Sequence, residues 1–279
     1  MGKEKYYLFL SLIIVCIIQT SCKVNEQTEY SFFIAGHSYG KPFVDNEGFH
    51  PPFKQKFLSV QDSADLEFGF LLGDIVWIPS EKDWDEIDKD IEDLGLPVYI
   101  ACGNHEMKDS ALFVERYGPT YFYFIKNKDL FIVLDPNIDN WNISVEQLSF
   151  LKKVIKKKSK RVDNIFVMTH QLIWWDKDRY PDIKLNSLEG KDENLNFWDE
   201  VEPIFHTLDN NVVFCAGDLG ANTKASDFMF DKYDNITLVA TGMGEGEGDN
   251  FVIIKVDNDK NVYIELINLN TDQVIHLLN

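Results

Sequence analysis

The feature that most limits how this chain can fold is a set of short apolar runs, each of which breaks at a polar or glycine-containing segment. Leu96 to Ala101 stops at Cys102-Gly103-Asn104-His105-Glu106, and Phe68 to Leu72 stops at Gly73-Asp74. Runs this short, bounded by glycine, read as strands, and α/β sheets place their chemistry at strand carboxyl ends. Tyr30 to Ala35 ends in the same way at Gly36-His37-Ser38-Tyr39-Gly40, Asn164 to Thr169 at His170, and Val212 to Cys215 at Ala216-Gly217-Asp218-Leu219-Gly220. Between these runs, residues 53–64, Trp84 to Leu94 and Trp198 to His206 carry helical patterning. Ser144 opens another helix, with Gln147 completing a capping box and Val145, Leu148, Leu151 and Ile155 at helical spacing. From Asp227 to Leu278 the chain alternates as short strands, with turns at Asp234-Asn235, Asp257-Asn258 and Asn270. Strand and helix in alternation predict a layered α/β sheet.

The first residues follow different physics. Lys3 and Lys5 precede the apolar run Tyr6 to Ile18, which is shorter than the roughly 20 residues that span a bilayer and has the pattern of a secretion signal. It ends at Thr20-Ser21-Cys22, which resembles the cleavage site of bacterial lipoproteins, although Gln19 stands where an aliphatic residue is usual. The expected organisation is a signal over 1–21, a tether over 22–28 and one domain over 29–279. The protein would then be exported and anchored to the membrane through lipidated Cys22, on the periplasmic or cell-surface side. Composition supports a sizeable core, with 45% apolar and 14% aromatic residues in 279. The formal net charge of −19 repels nucleic-acid backbones, so no nucleic-acid partner is expected. The basic run from Lys152 to Arg161 reads as a solvated face at a helix end. Cys102 and Cys215 read as buried small hydrophobes, since neither has metal or redox spacing.

Gly73-Asp74 and Gly103-Asn104-His105-Glu106, with a helical segment between, resemble the calcineurin-like metallophosphoesterases, and the resemblance extends over essentially the whole chain after the leader. It implies an α/β-β/α sandwich of mixed sheets flanked by helices, and a site for divalent ions at the strand ends. In such enzymes the first strand end offers Asp-x-His, whereas this chain has Ala35-Gly36-His37. Asp74 matches the bridging aspartate, Asn104 an asparagine ligand, and His105 the histidine that protonates the leaving group, with Glu106 in the slot that orients it. His170 matches the next ligand. The last motif, Gly-His-x-His, is replaced by Gly217-Asp218-Leu219-Gly220.

Sorted by ion, the losses at Ala35 and Gly220 fall on one half, which keeps only His37 and Asp74. The other half keeps Asp74, Asn104 and His170 and gains Asp218. The expectation is one divalent ion per chain, in a hard donor set that favours manganese, magnesium, calcium or iron over zinc. Putting Asp at 35 and His at 220 together should rebuild the second site. His37, released from a strong metal site, is expected to contact phosphate. The implied activity is metal-dependent hydrolysis of a phosphomonoester or phosphodiester. The alternative is a lipid-anchored binding module for a saccharide or protein, its cleft rimmed by Trp174, Trp175 and Trp198. The long irregular stretch from Gln171 to Phe197 is the candidate lid. In the glycine-acid run Gly242 to Asp249, Glu245 or Glu247 is either a substitute ligand or part of an acidic turn.

The leader gives a direct test. Metabolic fatty-acid labelling should follow Cys22 and disappear in Cys22→Ala, and labelling that persists in the variant would remove the anchor.

Overall fold

The computed structural model describes residues 28–44 and 48–278, so the expected signal, Cys22 and nearly all of the tether lie outside the described residues. The chain runs β1 (Thr28–Ala35), α1 (Pro51–Ala64), β2 (Leu66–Leu72), α2 (Glu81–Leu94), β3 (Val98–Ala101), α3 (Ser110–Tyr117), β4 (Phe122–Lys126) and β5 (Asp129–Val133). It continues through α4 (Val145–Lys158), β6 (Asn164–Met168), α5 (Glu202–Phe205), β7 (Asn211–Leu219), β8 (Phe228–Tyr233), β9 (Ile236–Gly242), β10 (Asn250–Asp257), β11 (Val262–Asn268) and β12 (Val274–Leu278). The helix expected over Trp198 to His206 is a π-helical turn, Phe197–Val201, running into α5. Pro203 at the start of α5 removes a backbone donor there.

Two six-stranded mixed sheets result, in the orders β12-β11-β10-β1-β2-β3 and β4-β5-β6-β7-β9-β8. In the first, β1, β2 and β3 are parallel; in the second, β5, β6, β7 and β9 are. These central strands are covered on both faces, which explains why β2, β5 and β6 read as nearly continuous apolar runs rather than alternating ones. Phe53 and Phe57 of α1, Trp84 and Ile87 of α2 and Phe113 of α3 pack on the outer face of the first sheet. Leu148, Leu151 and Ile155 of α4 and Phe205 of α5 cover the second. The architecture is the expected α/β-β/α sandwich.

Helix ends follow their sequence signals. Ser80 caps α2 by accepting from Asp83 N, and Gly95 closes it in the left-handed region at φ 71°. Ser144 likewise accepts from Gln147 N. The expected reciprocal half of that capping box is not formed, because the Gln147 carboxamide instead bonds both backbone groups of Asp135, at 2.8 Å each. Those groups lie just past β5, where a buried loop needs partners.

Between the sheets the core is aromatic. Phe32 meets Phe131 and Phe166 edge-on at 5.4 and 5.1 Å, and Phe131 stacks on Phe166 at 5.0 Å. Such pairs add about 0.5–1.5 kcal/mol each beyond the area they bury. The Tyr30 hydroxyl also donates across the interface to Asp129, whose other oxygen accepts from Asn164 N. Phe131, fully buried, touches Phe32, Phe68 and Phe70 of the opposite sheet. Phe131→Ala should therefore destabilise the protein by about 3–5 kcal/mol in urea unfolding, whereas Phe131→Leu should cost much less.

Candidate metal centre

The parallel strands of both sheets deliver their carboxyl ends to one place. His37 and Asp74 follow β1 and β2, Asn104 and His105 follow β3, His170 follows β6, and Asp218 lies near the end of β7. His37 and Asp74 are held in the left-handed region, φ 56° and 52°. That conformation is uncommon outside glycine and concentrates at functional sites. Gly73, at φ 75°, precedes Asp74, and a Cβ there would lie 2.5 Å from His170 Nδ1.

One ligand atom each from Asp74, His170 and Asp218 lies within 4.8 Å of the other two, and all three residues are buried. His170 Nδ1 lies 2.7 Å from the Leu72 carbonyl. A carbonyl can only accept, so Nδ1 carries a proton, and in the neutral ring that would bind an ion Nε2 turns its lone pair toward the carboxylates. Nε2 lies 3.3 Å from Asp74 Oδ1 and 3.9 Å from Asp218 Oδ1, yet it has no hydrogen-bond partner among the described residues. A buried nitrogen left unpartnered between two carboxylates fits a divalent ion. Against burial, which works to lower it, the charges of Asp74 and Asp218 lift the His170 imidazole to about 10 when no ion is bound. Burial also works to raise Asp74, but the surrounding His170, His37 and His105 hold it well below the usual carboxylate range. Burial, opposed by His170, pushes Asp218 up to about 7.

The other expected residues take distinct places. His37 is buried, with Nδ1 2.9 Å from the Met243 carbonyl and Nε2 3.7 Å from Asp74 Oδ2. Burial lowers its imidazole to about 4, so it is neutral near pH 7. It sits under Asp74, and little of it is open to a phosphate. Asn104 is exposed on a cleft of about 510 Å³ that is also lined by His105 and Asp218. His105 Nδ1 lies 2.7 Å from the Trp77 carbonyl, and the ring stands between Trp77 and Tyr39. Since that carbonyl takes the Nδ1 proton, the Lys108 ammonium 3.3 Å away is a close neighbour and not a donor to the ring.

Glu106 was expected to orient His105, and it does something else. Its two oxygens accept from the backbone N–H groups of Asp74, Ile75, Val76 and Gly103, at 2.7 to 3.2 Å. It therefore fixes the loop that carries Asp74, while the Trp77 carbonyl aims His105. Burial raises the Glu106 carboxyl, and the N–H groups of Ile75 and Gly103 oppose that rise.

Rebuilding the second ion's shell is ruled out at Gly220. That residue has φ 77°, and a Cβ there would lie 2.5 Å from the Gly242 carbonyl carbon. Ala35 is fully buried in the apolar cluster that also holds Met243. Glu245 pairs with Lys41, as a residue of an acidic turn. Trp174 is buried, and the indole N–H groups of Trp174, Trp175 and Trp198 bond Met229 Sδ, the Ile183 carbonyl and the Trp174 carbonyl. The expected tryptophan rim thus packs onto the core. The long loop reaches the cleft through Ser187, Glu189 and Gly190 instead. Its Asn186 donates to Asp218 Oδ1 at 3.1 Å and accepts from Ala221 N. Sequence reasoning missed Asn186 and Trp77, whose roles come from loop placement and a backbone carbonyl. Cys102 and Cys215 are buried and free, as expected.

No protein-family model and no curated protein matches the sequence. Among solved structures, the chain is similar to a purple acid phosphatase from yellow lupin seeds, with TM-score 0.64 and 15% identity over 88% of this chain and 52% of that one. It is also similar to a putative 5'-nucleotidase from Staphylococcus aureus, with TM-score 0.54 and 14% identity over 88% of this chain and 55% of that one. The chain spans about half the length of these structures. Its fold is that of the calcineurin-like metallophosphoesterases.

The pH dependence of metal binding follows from His170. In the metal-free protein its raised value contributes stability that is fully present below the imidazole's ordinary 6.5 and is lost as pH rises toward about 10. An ion must displace that proton, so it competes best at higher pH. Added Mn²⁺ should raise the melting temperature more at pH 8.5 than at pH 6, and the difference should shrink in His170→Ala, leaving the part set by Asp218, whose carboxyl, pushed up to about 7, also gives up its proton to an ion.

Proposed function

We propose that this protein is a metal-dependent phosphoric-ester hydrolase working with one divalent ion. The observation that carries this reading is the buried Asp74–His170–Asp218 group, set beside His105 on an open cleft. Two carboxylates and one imidazole, with Asn104 close by on the cleft wall, favour manganese, magnesium, calcium or iron over zinc. When bound, such an ion supplies Lewis-acid polarisation of the phosphoryl group and acidifies the attacking water.

The chain's own residues account for the rest. Because His105 keeps its Nδ1 proton on the Trp77 carbonyl, a second proton must sit on Nε2. That proton can pass to the departing oxygen, leaving a neutral ring with its orientation intact. Asp74 Oδ2 lies 4.0 Å from that Nε2. Lys108 is the cation lining the cleft among the described residues, and it attracts the phosphoryl oxygens. Glu106 holds the Asp74 loop, and Asn186 holds the Asp218 carboxylate. His37, neutral and buried beneath Asp74, supports that carboxylate. Export and anchoring through Cys22 remain part of the proposal, and place the substrate outside the cytoplasm.

The losses at Ala35 and Gly220 favour a second reading, a non-catalytic binding module. Two measurements separate the readings. Purified protein should hold one equivalent of ion, and it should hydrolyse a chromogenic phosphoester in a reaction abolished by EDTA and restored by Mn²⁺. His105→Ala should lower turnover of poorly activated esters by about 10²–10⁴-fold with metal content nearly unchanged. Asp218→Asn should lower metal content itself. A metal-loaded protein without activity on any ester would select the binding module.

A further inference from the structure

The cleft that holds His105 is also lined by Asn137, Asn140 and Gln171. Two of these carboxamides, Asn137 and Gln171, are linked to each other. Asn137 Nδ2 donates to the Cys102 carbonyl at 3.1 Å and to Asp135 Oδ1 at 2.9 Å. The carbonyl can only accept, so the orientation of the Asn137 amide is fixed and its Oδ1 must accept from elsewhere. It accepts from Gln171 Nε2 at 2.5 Å. Gln171 Oε1 is thereby left as an acceptor, and although Gln171 is only 1% exposed, that oxygen has no hydrogen-bond partner among the described residues. Gln171 lines the cleft. That oxygen is covered in the free protein; leaving a buried acceptor unpaired is costly, and an outward turn of the side chain into the cleft would pair it with a neutral donor from a ligand.

The adjoining wall is a strained turn. Asn140 and Trp141 both lie in the left-handed region, at φ 50° and 74°, inside a bridge between Asp139 and Asn142. A left-handed tryptophan is a true outlier, of the kind kept where function needs it. The turn is held by the long loop, with Asp192 N donating to the Asn140 carbonyl at 3.1 Å and Asn142 Nδ2 to Asp192 Oδ2 at 2.7 Å. Asn140, which is exposed, and Trp141 line the cleft together with Trp77.

We propose that the cleft binds a neutral, polyhydroxylated leaving group, so that the substrate is a sugar or polyol phosphate. Carboxamides both donate to and accept from hydroxyl groups, and indole surfaces cover the apolar C–H faces of a sugar ring. The charge of the cleft excludes a polyanionic leaving group, since Lys108 is its only lining cation among the described residues and is offset by Asp218 and Glu189. The volume of about 510 Å³ suits a small ligand. In the reaction the water oxygen joins phosphorus, the P–O bond to the sugar breaks and the sugar oxygen takes the His105 Nε2 proton, while the proton the water gives up passes to solvent, from which His105 regains the one it lost.

This inference rests on the hydrolase reading, and the test separates the two. Mn²⁺-loaded wild-type protein is assayed on p-nitrophenyl phosphate and on a panel of hexose and polyol phosphates, and the ratio of kcat/KM for each sugar ester to that for the aryl ester is compared with Gln171→Met and Asn140→Gly. Glycine suits the left-handed backbone at 140, so that variant keeps the turn while removing its carboxamide. At least one sugar ester should be hydrolysed, and its ratio should fall by about tenfold or more in each variant. An unchanged ratio in both variants, or turnover of the aryl ester with no sugar ester, overturns the inference and leaves the hydrolase reading standing. If no ester is hydrolysed, the hydrolase reading fails, and titration of tryptophan fluorescence with methyl glucoside decides the subsite. Saturable quenching that is lost in Gln171→Met keeps it, and no quenching overturns it.

Discussion

The site depends on how closely the two sheets approach at their carboxyl ends. Gly36, just after β1, and Gly217, on β7, meet backbone to backbone: a Cβ on Gly36 would lie 2.2 Å from Gly217 Cα, and one on Gly217 would lie 2.1 Å from the Leu72 carbonyl oxygen. Only glycine permits this approach. Because of it, His170 from the second sheet reaches the Leu72 carbonyl of the first, and the same step brings its Nε2 to Asp74. The aromatic layer of Phe32, Phe131 and Phe166 sets the separation farther along the sheets, and the glycines close it at the end that carries the chemistry.

Charge follows from that approach. Two carboxylates and three imidazoles are buried together, which is costly unless they are paired or hold an ion. The electrostatics divide their roles: His170 is driven toward the charged form, His37 toward the neutral form, and Asp74 remains ionised at the centre. Glu106 serves the same arrangement from behind, spending both oxygens on the backbone that turns Asp74 inward. The half of the site that would hold a second ion has been closed by packing. Gly220 is pressed on Gly242 and Met243, and Ala35 belongs to the apolar cluster of Met243.

Much of this was legible in the sequence, for local reasons. Apolar runs stopped by glycine and polar residues gave the strands and the end of each that carries function, because strand period and breaker residues act within a few positions. The layered α/β-β/α architecture, the caps at Ser80 and Ser144 and the grouping of Asp74, His170 and Asp218 followed from that pattern and from the family resemblance. The tryptophans of the long loop misled, since a tryptophan in a polar stretch reads the same whether it rims a cleft or, like Trp174, packs against Phe197 and Phe214.

What the sequence determined by itself is therefore the set of strand ends and the donors on them, each fixed by its neighbours in the chain. What only the tertiary structure decided is which partner each donor meets. The Glu106 carboxylate takes four backbone amides and leaves His105 to the Trp77 carbonyl. Gln171 ends a chain of carboxamides that begins at the Cys102 carbonyl, and Gly220 faces a backbone that no side chain can share. These pairings join residues from separate elements, and they exist only because the two sheets pack face to face, with a separation set by phenylalanine rings and closed by two glycines.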